Sequence, residues 1–325
     1  MLTEQQKATR KGRVTSTSMA AILGVHPWMT PHDAWLAITG RYEKPVTKAM
    51  SLGTVLERYV ADEYEAHHLP AGLGLARGVG TIVSPDHDWL AASPDGLVVA
   101  DVVAATCHDL RDVRGGFEGK TSGWAAGTDF GLDWWVEQWE RGIPPMYAAQ
   151  ADVMLVCTGA PWWDVCAAVP SLGLVVHRRE RDGAHLANLI EIGRAWWERH
   201  IRDGVEPEVS RKDLPTLAQL YDADDEAEAD LPEAVVREHA EARLNRIRWE
   251  HAEELAEAKL KVLMGPATAA RVADSKITWK EQQGQRYIDG DELPDDLREK
   301  ATKRRAPYRV FRVTGELYPK PSEVL

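Results

Sequence analysis

The stretches SPDG at 93–96 and FEGKT at 117–121 decide the fold and the chemistry of this 325-residue chain. Asp95 stands in a turn that directly follows an apolar run, and Glu118 and Lys120 are two residues apart within another. Because side chains alternate between the two faces of a strand, Glu118 and Lys120 should share one face, about 7 Å apart. If the two strands pair, Asp95 and Glu118 converge at one point.

Two carboxylates that converge can hold a divalent metal ion. Asp95, Glu118 and the carbonyl of Gly119 offer the oxygen ligands that Mg²⁺ prefers. Such an ion activates water, and Lys120 can stabilise the charge that develops on a phosphodiester. Each feature alone has a plainer explanation, since an E-x-K pair is usually a solvated ion pair and Asp is common in turns. The combination favours the metal site.

Strand and helix patterns alternate around this centre. Apolar runs bounded by Gly, Pro and Asp predict strands of one sheet at 80–84, 89–93, 96–103 and 115–121, and further strands at 162–169 and 172–180. Helices are predicted at 14–24, 30–40, 50–68, 144–159 and 184–204. The Trp-rich residues 122–143 are predicted to be irregular, with most of their tryptophans covering a core edge and Trp124 a candidate for base stacking.

The helix predicted at 50–68 has an apolar stripe with Glu57 on its flank. The stripe is formed by Leu52, Leu56, Tyr59, Val60 and Glu63.

Charge and cysteine content restrict the function. The formal net charge of −12 disfavours a nucleic-acid partner on average, but basic residues cluster at 10–13, 178–181 and 300–305, so a basic channel on an acidic body stays open. The three cysteines have no CxxC spacing, which argues against a four-cysteine iron–sulfur cluster and suits a reducing cytoplasm. Neither a spanning segment nor a signal-peptide core is found, so no membrane association is expected.

The composition shifts near residue 205 and predicts two domains, 1–205 and 206–325. Residues 205–215 are typical of a linker. Residues 231–264 have a charged, heptad-like pattern that predicts a long helix, and the alternating segments 275–289 and 308–318 predict a short hairpin or ribbon.

Six short motifs, in order, resemble the lambda-exonuclease/YqaJ group of viral recombination nucleases within the PD-(D/E)xK superfamily. SPDG and EGK match its core motif, and GTVLERYVADEYE resembles its upstream helix, which assigns Glu57 to the helix glutamate as a catalytic residue and metal ligand. YAAQADVMLVCTG resembles its Tyr-x-x-Gln helix, which assigns Tyr147 to DNA binding and Gln150 to the catalytic residues. WWERHIRDGVEP, near residue 200, resembles the close of its domain, and RKGRVTSTSMAAILG is similar to its opening segment. That match assigns Arg10 and Thr17, with Ser93, to a 5′-phosphate site, although Thr17 replaces the Ser of the group.

The resemblance implies an α/β fold with a restriction-endonuclease-like core, in which helices flank a central mixed sheet. It implies a Mg²⁺-dependent 5′-to-3′ exonuclease, with Mn²⁺ as a substitute ion, that acts on double-stranded DNA ends and leaves 3′ overhangs. It also implies a homo-oligomeric ring (trimer or tetramer), a single-strand annealing protein as partner, and a phage or prophage protein in the bacterial cytoplasm. The alternatives are another nuclease of the superfamily, of restriction type or with an iron–sulfur cluster, and a non-catalytic module that binds DNA ends.

Overall fold

The computed structural model describes residues 3–43, 45–100, 110–123, 131–220, 228–272 and 275–281. The chain divides into two compact units, Met1–Tyr221 and Asp222–Leu325. The helices of the first unit are α1 Glu4–Arg10, α2 Ser16–Ile22, α3 Pro31–Thr39, α4 Lys48–His67, α5 Leu132–Arg141, α6 Pro145–Thr158, α7 Gly183–Trp197 and α8 Leu214–Leu220. Its strands are β1 Val14–Thr15, β2 Gly74–Arg77, β3 Ile82–Val83, β4 Leu90–Ala92, β5 Gly96–Val99, β6 Val113–Thr121, β7 Trp162–Val169 and β8 Gly173–Glu180.

A five-stranded mixed sheet in the order β2-β5-β6-β7-β8 forms the centre of the first unit. The pair β6–β7 is parallel, and the other three pairs are antiparallel. Val60 and Tyr64 of α4 pack with Phe117 of β6 in one core, while α6 contributes to a larger core that includes Trp163 of β7. The predicted α/β architecture, a mixed sheet flanked by helices, is confirmed.

Two glycines of β6 allow neighbouring tryptophans to lie close to the sheet. A Cβ added to Gly115 would lie 2.3 Å from the ring of Trp162, and one added to Gly116 would lie 2.1 Å from the ring of Trp163. Side chains therefore do not fit at either position unless the rings move. These contacts fix β7 against β6, next to the residues that carry the chemistry.

The prediction of one sheet was wrong for two of its strands. β3 and β4 belong to a separate three-stranded sheet in the order β1-β4-β3, in which β1 is parallel to β4. β1 occupies the start of the segment predicted as a helix at 14–24, and α2 begins only at Ser16. The chain leaves β4 and enters β5 of the larger sheet through Ser93–Asp95, so the SPDG turn connects the two sheets.

The buried face of α4 differs from the predicted stripe. Leu52 and Tyr59 are exposed (41% and 54%), whereas Val60, Ala61 and Tyr64 are buried against the sheet. Glu57 precedes Val60 by three residues and Ala61 by four, so it lies half-buried beside this face of the helix, as its predicted position on the flank indicates. This position places Glu57 at the edge of the core.

The segment predicted as irregular contains a helix, α5, so that prediction was wrong within 132–141. The N-cap residue is Gly131, which has no side chain to form a capping bond, so the usual sequence signal for a helix start is missing. Trp135 and Trp139 are buried, which confirms the predicted core role for these two tryptophans. Trp124 lies outside the described residues.

The first unit extends to residue 221, past the predicted boundary at 205, because the segment predicted as a linker packs back onto it. Asp213 is fully buried; Thr30 donates a hydrogen bond to its carboxylate, and Ser210 donates two, from the main-chain N–H (2.6 Å) and the hydroxyl (2.8 Å). The assignment of 1–205 and 206–325 as functional domains stays a prediction.

The second unit contains one long helix, α9 Glu233–Met264, and an antiparallel pair of strands, β9 Ala269–Val272 and β10 Ser275–Thr278. The helix agrees with the heptad-like pattern at 231–264. β10 starts the segment predicted as one arm of a hairpin, but its partner is β9; residues 308–318, predicted as the other arm, lie outside the described residues. Among the helices of the described ranges, none combines the length and the apolar character needed to cross a membrane.

Candidate active site

Asp95 and Glu118 face each other across two paired strands. In the antiparallel pair β5–β6, Gly96 lies opposite Phe117. Extending this register by one residue brings Asp95 opposite Glu118, where side chains of the two strands point to the same face. The main-chain N–H of Gly119 donates a hydrogen bond of 2.9 Å to Asp95 Oδ2. The predicted convergence of the two acidic residues is therefore present in the structure.

Lys120 lies next to both acids. Its Nζ is 2.5 Å from Oε1 of Glu118, so the two side chains share a face of β6 as their spacing predicts. Only 18% of the Lys120 side chain and 7% of the Glu118 side chain are exposed, so the charges interact with little solvent screening.

Burial and like charge change the acidity of these groups. Burial and the neighbouring Asp95 together raise the pKa of Glu118 to about 7, although Lys120 acts in the opposite direction. Burial and the hydrogen-bonded Glu57 also raise the pKa of Asp95 to about 7, although the charge of Lys120 acts to lower it. Burial acts to lower the pKa of Lys120, but Glu118 and Asp95 outweigh it, and the pKa is raised. The site thus disfavours two bare carboxylates and keeps its lysine charged.

The residues present fit a divalent cation. Glu118 Oε2 is buried and has no hydrogen-bond partner among the described residues, which is costly unless a cation or a proton satisfies it. Within the described part of the chain, no three His, Cys, Asp or Glu side chains are already grouped as a metal site. Asp95, Glu118 and the main-chain carbonyl of Gly119 need only two side chains, and waters can complete the octahedron of Mg²⁺. The raised pKa values match, because a bound cation removes the repulsion that produces them.

Glu57 and Tyr147 line the same open cavity as Lys120. This cavity, which we call the site cleft, has a volume of about 480 Å³ and is also bordered by Gly119 and Trp28. The Lys120 ammonium lies 5.4 Å from the centre of the Tyr147 ring, within the range of a cation–π contact. The ring of Tyr147 stacks against the buried tryptophans of α5, so its position is fixed from behind. Glu57 also lines a second cavity, and Asp95 is among the other residues that line it.

Gln150 is buried on α6, one turn after Tyr147. Its assignment as a catalytic residue rests on the resemblance and stays a prediction.

The proposed phosphate-binding residues lie close to the acids. Arg10 Nη1 donates a hydrogen bond of 3.2 Å to the Ser93 hydroxyl, although the two residues are far apart in sequence. Burial lowers the pKa of Arg10, and the charge of Glu118 raises it, so the guanidinium lies within the field of the acidic pair. Arg10 and Thr17 line one cavity of about 450 Å³, which we call the Arg10 cavity. The structure thus brings Arg10, Thr17 and Ser93 together; their roles stay predictions.

The basic cluster at 178–181 does not form a free basic surface. Arg178 makes a bidentate ion pair with Asp164, and Arg179 makes one with Asp152. Both aspartates are buried, so these arginines neutralise acids of β7 and α6. The hypothesis of a basic channel is wrong for this part of the cluster, and residues 300–305 lie outside the described residues.

Two features of the site were missed from the sequence. Trp28, in the loop between α2 and α3, borders the site cleft and packs against Trp135, with ring centres 5.9 Å apart. Thr121 and Ser122, which directly follow Lys120, line the same cleft. The position of Thr121 and Ser122 beside the E-x-K motif is a signal that could have found them, whereas Trp28 is distant in sequence and carries no such signal.

The mixed sheet, with Asp95 entering one strand and Glu118 and Lys120 on the next, defines a PD-(D/E)xK-like core. Residues 6–161 match the YqaJ-like viral recombinase domain. A protein of Bacillus subtilis (strain 168) described as uncharacterized protein YqaJ is 29% identical over 102 residues. That match covers 30% of this chain and 30% of the length of that protein.

Solved structures with a similar course of the chain include an alkaline exonuclease, LHK-Exo, from Laribacter hongkongensis. It has 25% identity and a TM-score of 0.46, and the match covers 62% of this chain and 95% of that chain. A complex of LHK-Exo with dAMP matches with 24% identity and a TM-score of 0.47, over the same shares of the two chains. A phage-related exonuclease from Haemophilus somnus 129PT has 12% identity and a TM-score of 0.40, covering 59% of this chain and 96% of that chain.

Proposed function

We propose that this protein is a metal-dependent DNA exonuclease. It degrades linear double-stranded DNA from 5′ ends and leaves 3′ single-stranded overhangs for recombination by strand annealing. The observation that carries the proposal is the convergence of Asp95, Glu118 and Lys120 within a YqaJ-like viral recombinase domain. The adjacent pair of Arg10 and Ser93 adds a place for a phosphate at the end of the DNA.

The side chains have separate tasks in this reaction. Asp95, Glu118 and the Gly119 carbonyl would hold Mg²⁺, or Mn²⁺ in its place, and the ion would supply a water of lowered pKa and a charge on the scissile phosphate. Lys120 stabilises the negative charge that develops on the phosphate oxygens, and its raised pKa keeps it protonated for this task. Glu57 lies at the border of the cleft and would orient a water or a second ligand of the ion.

The choice of DNA end follows from the position of Arg10. A guanidinium beside a hydroxyl binds a phosphate through charge-assisted hydrogen bonds. Since Arg10 also lies within the field of Glu118, a terminal phosphate held there places the adjoining phosphodiester near the two acids. A 5′-phosphate captured in this way directs hydrolysis to the end of the strand and makes it stepwise.

Three further properties belong to the proposal through the domain family. The protein would act as a ring of three or four copies around the DNA, with a single-strand annealing protein as its partner. It would work in the cytoplasm of a bacterial host, as a product of a phage or prophage.

Digestion of labelled DNA tests the exonuclease assignment. The substrates are a linear duplex labelled at its 5′ end, the same duplex labelled at its 3′ end, and a covalently closed circle. We expect immediate release of the 5′ label as mononucleotide with Mg²⁺, late release of the 3′ label, and an intact circle. Cleavage of the circle would assign a restriction-type endonuclease instead, and binding of ends with no product would leave a non-catalytic module.

A further inference from the structure

A cavity beside the site cleft combines aromatic rings with two basic side chains. It has a volume of about 510 Å³, and Trp28, Tyr42, Arg211 and Lys212 are among the residues that line it. We call it the Arg211 cavity. None of these four residues belongs to the proposed metal or phosphate sites, and the last two lie in the segment that the sequence presents as a linker.

The Arg211 cavity adjoins both functional cavities. Trp28 borders it and the site cleft, and Tyr42 borders it and the Arg10 cavity. The Arg211 cavity therefore shares one lining residue with each of the two other cavities.

The two basic side chains are available for phosphates. Arg211 and Lys212 are exposed, and among the residues that the structure describes neither forms an ion pair. Asp33 also borders the cavity, but its carboxylate accepts a hydrogen bond of 3.1 Å from the Thr30 main-chain N–H at the start of α3. Within the described residues these two cations have no ion-pair partner, so they create a local positive potential on a chain of net charge −12.

A buried acid fixes the turn that carries these cations. Asp213 follows them directly, and its carboxylate accepts hydrogen bonds from Thr30 and Ser210, with His32 Nδ1 3.8 Å away. This arrangement ties the short helical turn Arg211–Asp213 to α3. The fold thus holds Arg211 and Lys212 at a defined place, although their own side chains remain in solvent.

We propose that the Arg211 cavity binds a single-stranded DNA segment, with phosphates at Arg211 and Lys212 and bases against Trp28 and Tyr42. Aromatic platforms beside a basic groove are how proteins bind single strands without reading their sequence. A cavity of this size accepts one or two nucleotides but not a duplex. The inference rests on the proposed function, because a nuclease that degrades one strand must hold the other after it has lost its partner.

Binding of a fluorescein-labelled oligothymidylate, measured by fluorescence anisotropy in EDTA, tests this site without any hydrolysis. For the double variant Arg211→Ala/Lys212→Ala we expect the affinity to fall at least about fivefold. The slope of log affinity against log salt should decrease in magnitude by about 1.4, because each of the two phosphate contacts contributes about 0.7. The control Arg114→Ala/Arg141→Ala removes the same charge from two exposed arginines outside the described cavities, and its slope should match wild type. Equal slopes in the two double variants would overturn the proposal.

Tyr42 separates stacking from a structural role. Its hydroxyl donates a hydrogen bond of 3.3 Å to Gln219, so Tyr42→Phe removes that bond and keeps the ring. We expect Tyr42→Ala to weaken oligothymidylate binding at least about fivefold and Tyr42→Phe to bind as wild type. Equal losses in both variants, or losses on duplex DNA alone, would overturn the single-strand assignment. A protein that binds through these residues but never cleaves DNA would refute the proposed function and leave this site standing.

Discussion

The main-chain N–H of Gly119 donates its hydrogen bond to the side chain of Asp95, 2.9 Å away, rather than to a neighbouring strand. This bond connects the turn before β5 to the middle of the E-x-K motif on β6. Because Glu118 and Lys120 flank Gly119, any shift of the turn moves the acid relative to both of them. The geometry of the candidate metal site is therefore set by β6 together with the turn that is hydrogen-bonded to it.

The acidity of Glu118 should appear in the stability of the metal-free protein. Its pKa is raised from 4.5 to about 7 in the folded chain, so the unfolded chain loses this proton first. Stability is unaffected by this group below about pH 4.5 and falls as pH rises towards 7. Glu118→Gln should remove that loss, which is at most about 3 kcal/mol.

Urea unfolding in EDTA at about pH 5 and about pH 8 measures this difference in unfolding free energy. The control is Glu191→Gln, which replaces an exposed glutamate on α7 and should lose as much stability between the two pH values as wild type. The same loss in Glu118→Gln would mean that this carboxylate is not destabilised by its surroundings. Magnesium added to the wild-type protein at the higher pH should raise the unfolding temperature, because only the folded chain presents both acids.

Lys120→Ala should slow turnover at least about a hundredfold, while Mg²⁺ affinity stays within about threefold of wild type. Lys120 is assigned to the charge that develops on the phosphate and not to the ion, so its removal affects the chemical step. Single-turnover kinetics with saturating DNA, together with calorimetric titration of Mg²⁺, separates the two quantities. Near-normal turnover in a folded variant would make Lys120 a structural partner of Glu118 only.

Arg10→Ala should reduce digestion of 5′-phosphorylated ends about tenfold and have a much smaller effect on 5′-hydroxyl ends. The reason is that only the first kind of end carries the terminal phosphate that Arg10 and Ser93 would hold. Initial rates on both substrates check this. Arg13→Ala is the matched control, because it removes a charge from the same cavity. The Arg13 guanidinium donates its hydrogen bonds to the main-chain carbonyls of Asp88 and Thr9. Equal losses on both ends in Arg10→Ala would reduce its role to general attraction for DNA.

Asp164→Asn should destabilise the fold by about 2 kcal/mol without changing turnover per folded molecule. The buried carboxylate accepts a hydrogen bond of 2.8 Å from the Tyr64 hydroxyl and a bidentate pair from Arg178, and Asn cannot replace both. The estimate is below the usual cost of breaking a buried pair because Arg178 is 40% exposed. Thermal unfolding measures it. Arg202→Ala, which breaks only exposed pairs, with Asp203 and Glu198, should cost no more than about 0.5 kcal/mol. A similar small cost for Asp164→Asn would refute the structural role of the basic cluster.

The features that follow from local sequence patterns were predicted well. The capped start at Thr30, the end at Gly40 and the long helix that contains Glu57 all have local signals, and so does the alternation that joins Glu118 to Lys120. The approach of Asp95 to Glu118 followed from assuming that two adjacent segments pair, which the register of β5 and β6 confirms.

The features that depend on tertiary contacts were not predicted. The two-residue strand β1 is too short for any periodicity, so its pairing with β4 leaves no trace in the sequence. The inward face of α4 was misjudged because Leu52 and Tyr59 are apolar and yet exposed. Residues 211–213 resemble a linker, and only the burial of Asp213 shows that they belong to the first unit.

The most direct test of the central claim is the release of acid-soluble nucleotides from linear duplex DNA by wild type and Glu118→Gln, each with Mg²⁺ and then with EDTA. We expect wild type to release nucleotides until EDTA is added, and the folded variant to be at least about a thousandfold slower, because it cannot hold the ion that activates the attacking water. Mg²⁺-dependent release at the wild-type rate by Glu118→Gln would contradict the assignment of the active site to Asp95, Glu118 and Lys120.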